Sequence, residues 1–189
     1  MQRIRQLRPI LLLLFGLLIS PAQAEKADRN KPINLEADRL TVDDARKLHI
    51  LEGNVQLSQG SLLIRCEKLV VSQDKEGFQK GVATGGTGGL ARFRQKREGK
   101  DEYIDGEAER IVHDDKAGKT EFFLRAYVKS GNDEVRGQYI AYDGQTENYL
   151  VTSGPDGTSP TPGQPGRVHA VIQPKPRAEN PLPGPSPQK

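Results

Sequence analysis

The sequence predicts an all-β protein built by repetition, on three observations: a short pattern that recurs four times, a hydrophobic period of two, and regularly placed turn residues. The pattern is Leu35-Glu36-Ala37-Asp38-Arg39-Leu40-Thr41-Val42-Asp43. It returns as Arg65-Cys66-Glu67-Lys68-Leu69-Val70-Val71-Ser72, as Glu107-Ala108-Glu109-Arg110-Ile111-Val112-His113-Asp114, and as Arg136-Gly137-Gln138-Tyr139-Ile140-Ala141-Tyr142-Asp143. Each copy places a small residue, then a polar or acidic one, then a long one (Arg, Lys or Tyr), then an aliphatic. The copies follow one another at 29, 42 and 29 residues, and residues 37–71 lie on 108–142 at a constant offset of 71 with no gap. Repetition of short extended units is the mark of a stacked β architecture, here a duplication inside a duplication.

The chain opens with a segment to be set aside from the fold. Arg3, Arg5 and Arg8 precede the apolar run Ile10 to Ile19, and Ala22-Gln23-Ala24 is a small-x-small cleavage site. This predicts an exported protein whose signal peptide, residues 1–24, is removed after Ala24. The apolar run is too short to span a membrane, which takes about 20 residues. The three signal arginines account for the formal charge of +3; without them 25 Lys+Arg face 25 Asp+Glu. The basic pI therefore gives no reason to expect a nucleic-acid partner.

Between Glu25 and Ser153 the period is two. Ile33, Leu35 and Ala37 alternate with Asn34, Glu36 and Asp38; Leu51, Gly53, Val55 and Leu57 with Glu52, Asn54 and Gln56; Leu62, Ile64 and Cys66 with Leu63, Arg65 and Glu67. Such alternation marks strands with one buried and one wet face. Turn signals stand at Gly53-Asn54, Gln59-Gly60, Gly118, Ser130 to Asp133, and Asp143-Gly144. At roughly 8–12 residues per strand and turn, the spacing predicts about 12–16 short antiparallel strands. Aromatics make up only 5% of the chain and Trp is absent. A single sheet folded over a narrow apolar seam fits that composition better than a thick core. Alternation assigns Leu51, Val55, Leu57, Leu62, Ile64 and Val128 to the inward face.

Proline divides the chain. Only Pro32 falls between Glu25 and Ser153, against ten prolines from Gly154 to Lys189. Because proline cannot donate to a ladder, the later region offers one strand, Arg167 to Ile172, and then a disordered or polyproline-II tail. The domains are thus 1–24 (signal), 25–173 (β domain) and 174–189 (tail).

No catalytic set emerges. Asp43-Asp44 and Asp114-Asp115 are neighbours whose side chains diverge on a strand, so they read as turn acids. His49, His113 and His169 lack metal-binding spacing, and His113 falls where Val42, Val71 and Tyr142 stand in the other copies, which argues for packing. Gly85-Gly86-Thr87-Gly88-Gly89 lacks the Lys-Ser/Thr of a phosphate loop and reads as a flexible turn. Cys66 fills the small-residue slot and has no disulfide partner, so it reads as a packing residue. Neither a metal nor a cofactor is expected. Arg92-Phe93-Arg94-Gln95-Lys96-Arg97 alternates so that Phe93 points inward and the arginines outward; simple solvation or contact with an anionic lipid both remain open for it.

Three segments carry a family resemblance: Lys31 to Asp38, Glu52-Gly53-Asn54-Val55, and Gly-x-Ala-x-Phe at Gly89 to Phe93. Together they resemble the OstA-like domain family of lipopolysaccharide-transport proteins, over roughly residues 30–173. Two departures stand out: Leu90 where the family often has Pro, and Leu124-Arg125-Ala126 where the second half would carry Gly-Asn-Val. The resemblance implies a twisted, open β-jelly roll with an apolar internal groove for the acyl chains of lipopolysaccharide. It also implies head-to-tail self-association into a periplasmic bridge between an LptC-like inner-membrane protein and an LptD-like outer-membrane protein. On that basis Ile33 and Leu35 would line the groove at its first strand and Phe93 its middle. The partner edges would be Ile33 and Leu35 at one end and Val168, Val171 and Ile172 at the other. Two other readings stay open: an exported β-scaffold that binds only protein edges, and an LptC-like relative that keeps its N-terminal anchor.

Overall fold

The computed structural model describes residues 28, 30–75, 77–160 and 166–174. The predicted signal peptide with its cleavage point, and the tail beyond Pro174, lie outside these residues. The described chain forms twelve strands: β1 (Asn34–Glu36), β2 (Arg39–Asp43), β3 (Leu48–Gln59), β4 (Leu62–Asp74), β5 (Gly77–Thr84), β6 (Ala91–Lys96), β7 (Tyr103–Ala108), β8 (Arg110–Asp114), β9 (Lys119–Ser130), β10 (Asp133–Asp143), β11 (Asn148–Thr152) and β12 (His169–Val171), with a 3-10 turn at Pro155–Gly157. The class is all-β, as the alternation predicts. Two details differ from expectation. The last strand is shorter than 167–172, and β3, β4, β9 and β10 are long rather than short, at 11 to 13 residues.

The long strands are long because each serves two layers. The C-terminal part of β3 pairs with β1 and its N-terminal part with β2. The same division gives β4 the partners β6 and β5, β9 the partners β7 and β8, and β10 the partners β12 and β11. With β5–β8 and β6–β7 joined across the middle, all antiparallel, one sheet folds into two facing layers of eight strand segments. The first runs β1–β3–β4–β6–β7–β9–β10–β12, the second β2–β3–β4–β5–β8–β9–β10–β11. The result is an open jelly roll: continuous backbone joins the layers along one corner, and rows of turns end them on the opposite side.

The fourfold sequence pattern is that corner. Inward residues follow odd numbers or even numbers along a strand until the chain turns, where two successive residues both face out. Those pairs are Asp38-Arg39, Glu67-Lys68, Glu109-Arg110 and Gln138-Tyr139, the polar and long positions of the repeat; Tyr139 points away from the interior but is buried against Val112 and Phe123 on the outer face. Before each pair stands the small inward residue (Ala37, Cys66, Ala108, Gly137), because the layers converge too closely there for more. After it stands the aliphatic that resumes inward packing: Leu69, Ile111 and Ile140 are fully buried. Alongside these pairs at the corner, β3 absorbs the bend with a bulge between Glu52 and Val55, using Gly53 and Asn54 at φ +79° and +48°. The expected Gly53-Asn54 turn is thus a bulge within one strand. In the second half Leu124 and Arg125 adopt the same left-handed conformation, φ +63° and +51°, without a glycine. The backbone bonds match as well: Asp38 N–H donates to Gly53 O at 2.9 Å and Glu109 N–H to Leu124 O at 3.1 Å.

The duplication is visible in the element bounds. Adding 71 to Arg39–Asp43 and Leu48–Gln59 gives Arg110–Asp114 and Lys119–Ser130, the bounds of β8 and β9. Asp43 and Asp114 cap their turns through backbone N–H groups of Arg46 and Ala117, at 2.9 and 2.8 Å, which is the turn role read from sequence. Among the described residues no helix is long and apolar enough to cross a membrane.

The corner predicts a contrast between equivalent alanines. Ala108→Leu, at a fully buried corner, should lower unfolding stability by about 1–3 kcal/mol through overpacking. Ala37→Leu, at the half-exposed first copy, should change it by less than about 1 kcal/mol. Urea unfolding of the two variants measures both.

Candidate functional site

The space between the layers holds the larger of two apolar clusters among the described residues; the smaller, of Val112, Phe123 and Tyr139, lies on the outer face. The larger cluster includes Leu51, Val55, Leu57, Leu62, Ile64, Leu69, Val71, Phe93, Ile104, Ile111, Phe122, Val128, Ile140 and Tyr142, with Ile33, Leu35 and Cys66 packed against it. Phe93 from the first layer meets Phe122 of the second edge to face, with centroids 5.8 Å apart. Gly106 lies under that ring, and a side chain there would collide with it. His113 lies between Phe78 and Phe93, with centroids at 6.3 and 5.8 Å, and its Nδ1 shares a 2.9 Å hydrogen bond with Thr120 Oγ1. It is a packed, hydrogen-bonded ring, as its place in the repeat suggests. The members of this cluster from Leu51 to Phe93 are 3% exposed or less. The interior is therefore filled by side chains, and each large one contributes about 1.5–3 kcal/mol by leaving water.

All nine residues assigned to the inward face from sequence point into this space. Leu51, Val55, Leu57, Leu62, Ile64, Phe93 and Val128 are buried; Ile33 and Leu35 are half-buried at the first edge. Sequence reasoning missed Leu69, Val71, Ile104, Ile111, Phe122, Ile140 and Tyr142. For five of them the signal was available: Leu69, Val71, Ile111, Ile140 and Tyr142 follow a corner, where alternation restarts one residue late, whereas Ile104 and Phe122 precede a bend on their own strands.

The edges also separate into expected and missed. Leu35 is on β1, Val171 on β12, and Ile33, Val168 and Ile172 flank those strands; among the described residues β1 pairs only with β3 and β12 only with β10. The second layer has edges of its own, β2 and β11, which the sequence reading did not name. Apart from Leu124, the exposed large hydrophobics (Leu40, Val42, Tyr149, Leu150, Val168, Val171 and Ile172) all belong to edge strands or their flanks. The apolar positions of β2 could have been found through the repeat, since Leu40 and Val42 occupy slots that are buried in the internal copies.

The outer surface is balanced rather than cationic. Phe93 faces inward while Arg92 and Arg94 face out, and those arginines sit 3.8 Å from Glu107 and 3.1 Å from Asp105 on β7. Lys96 lies 2.7 Å from Asp101. Arg92, Arg94 and Lys96 are therefore charge-matched by neighbouring carboxylates, which leaves these three little attraction for an anionic surface. The Gly85–Gly89 segment is tethered: Gly85 N–H donates to Glu109 O at 3.0 Å, and Arg125, held by Glu109 at 2.7 Å, donates to Gly88 O at 3.0 Å. It is a pinned turn rather than a free one. No group of three or more His, Cys, Asp or Glu able to hold a metal occurs among the described residues.

Comparison with known proteins places this geometry. Residues 34–148, more than half of the chain, match the family described as LptA/(LptD N-terminal domain) LPS transport protein. The lipopolysaccharide export system protein LptH of Pseudomonas aeruginosa is 29% identical over 173 residues, 88% of this chain and 95% of its own length. The lipopolysaccharide export system protein LptA of Haemophilus influenzae is 29% identical over 125 residues, 66% of this chain and 72% of its own. Among solved structures, the crystal structure of LptH, titled as the LptA-homologous periplasmic component of the lipopolysaccharide transport device of P. aeruginosa, superposes with a TM-score of 0.67 at 26% identity. That match covers 78% of this chain and 99% of the other.

The Cys66 thiol offers a check on how closed the corner is. Burial pushes its pKa up to about 12, so at pH 8 only about one thiol in ten thousand is ionised. A thiol-reactive chromogen should leave Cys66 unmodified over hours in the folded protein and react fully within minutes once urea unfolds it.

Proposed function

The chain belongs to the LptA/LptD N-terminal domain family of LPS transport proteins, and from that premise we propose that it is a periplasmic carrier unit. It holds the acyl chains of lipopolysaccharide between its two layers and hands them along a head-to-tail bridge from the inner to the outer membrane. The physical need is plain: moving about ten CH₂ groups of one chain through water costs about 8 kcal/mol. A shielded apolar path removes that cost. No catalytic step is required of the protein.

The observation that carries the bridge is the junction already present inside the molecule. Thr84 stands to Lys68 as Thr152 stands to Tyr139, and Arg94 stands to Leu63 as Val171 stands to Glu134. The edges β11 and β12 thus repeat β5 and β6, while β2 and β1 repeat β8 and β7. The internal pairs Lys80↔Asp114 to Thr84↔Arg110 and Phe93↔Gly106 then supply a register for the next copy. Asn148 falls opposite Asp43, Thr152 opposite Arg39, Val171 opposite Asn34 and Ala170 opposite Leu35. Pairing of this kind satisfies unpaired edges and covers Leu40, Val42 and Leu150. At the ends of the row, the first edge with Ile33 and Leu35 would receive an LptC-like inner-membrane protein. The last edge with Val168, Val171 and Ile172 would meet an LptD-like outer-membrane protein.

A second reading has one observation in its favour: the filled interior suits a scaffold that binds only edges. Photo-crosslinking residues placed at inward Leu35 and Phe93 and at outward Asn34 and Arg92 separate the two. The carrier predicts lipopolysaccharide adducts at the inward sites, at least about fivefold above the outward sites. Equal labelling at both, or none at Leu35 and Phe93, supports the scaffold.

A further inference from the structure

The two layers are continuous at the corner, so they cannot part there. On the opposite side, among the described residues, no backbone pairing joins them, and in the C-terminal half a side-chain cluster spans that opening. Arg97 follows β6 in the first layer; Glu147 precedes β11 in the second. Arg97 Nε and Nη2 donate to Glu147 Oε1 and Oε2 at 3.1 and 2.8 Å, a bidentate pair, and Lys100 Nζ donates to Oε2 at 2.7 Å. Arg97 is held on its own hairpin by Glu102, through Nη1 at 2.7 Å and through its backbone N–H at 2.9 Å. Glu147 sits in a turn at φ +55°, and that turn is fixed by Asp143, which accepts from the N–H groups of Gln145 and Thr146. Tyr149 of β11 lies close enough to Arg97 for the two to interact electrostatically. Tyr149 also stacks on the buried Tyr142, with centroids 4.8 Å apart. The cluster therefore bears directly on the lining of the apolar interior.

We propose that Arg97 and Lys100 form an anion site at a lateral portal into the interior, that Glu147 occupies this site in the empty protein, and that a phosphate of the lipid headgroup takes its place as the side opens. The inference rests on the carrier reading. Two cations converging on one carboxylate present to an anion what a phosphate requires, a planar bidentate fork and a second point charge. An acyl chain entering from the side must separate the layers where only side chains join them. Its headgroup stays outside, at the level of the hairpins that carry Arg97 and Lys100. Exchanging one anion for another keeps both cations paired while the carboxylate moves to water.

The test compares uptake of fluorescent lipopolysaccharide with uptake of the same lipid after removal of its phosphates, by stopped flow, in wild type, Glu147→Gln and Lys100→Gln. The proposal predicts that the ratio of phosphorylated to dephosphorylated uptake rates rises at least about threefold in Glu147→Gln, because the competing anion is gone. In Lys100→Gln the ratio falls by a similar factor. If both lipids change together in each variant, or neither changes, the cluster is a structural clasp and the anion site is refuted. If wild type takes up neither lipid, the carrier reading fails and this proposal with it. Unchanged hydrogen exchange in β6, β7 and β10 of the variants shows that the fold has been kept.

Discussion

The structure depends on one geometric constraint: four long strands must turn from one layer into the other along a common line. At that line the layers converge, so the inward side chain must be small, and two residues in succession must point away from the interior. Ala108, with Glu109 and Arg110 after it, satisfies this with a buried methyl group followed by two polar side chains. The same demand explains Cys66 and Gly137 in the equivalent slots. It also explains the bulges, since a strand facing a corner carries one residue more than its partner. Gly53 and Asn54 meet the demand with residues that tolerate positive φ. Leu124 and Arg125 meet it through bonds, Glu109 N–H to the Leu124 carbonyl and the Arg125 guanidinium to the Glu109 carboxylate and the glycine turn.

From the corner follow both the interior and the edges. Folding one sheet over itself gives two inner faces whose alternate residues make an apolar seam. Duplication makes the molecule end at each side with the strands that join its own halves in the middle. The exposed apolar side chains of β2 and β11 are then the outer counterparts of contacts made internally by β8 and β5. A monomer with such edges carries an aggregation liability; in the row of copies proposed above, that liability becomes the joint.

Much of this was legible in the sequence, for a physical reason. Period-two alternation reports directly which residues face inward while a strand is regular, and the inward positions of Leu51, Leu57, Ile64 and Phe93 follow from it. It fails where the strand turns. Leu69, Ile111 and Ile140 lie beyond the corner, and parity counted from Ile64 or Ala108 puts them on the wrong face. The repeat itself contained the correction, but a repeat does not say which of its positions is the bend until pairing partners are known. The Gly53-Asn54 bulge read as a turn because glycine and asparagine serve both. The Arg97–Glu147 pair lay beyond any sequence argument, since fifty residues and two layers separate its members.

The central claim is that the layers part on the side opposite the corner when the interior holds lipid. Spin labels at Asp101 in the first layer and Gln145 in the second report that separation by double electron–electron resonance, with labels at Glu67 and Gln138 on the corner as the fixed reference. An inserted chain adds one layer of heavy-atom contacts, so the 101–145 distance should lengthen by about 4–5 Å on loading with lipopolysaccharide while the 67–138 distance stays the same. Bound lipid with an unchanged 101–145 distance would contradict the account.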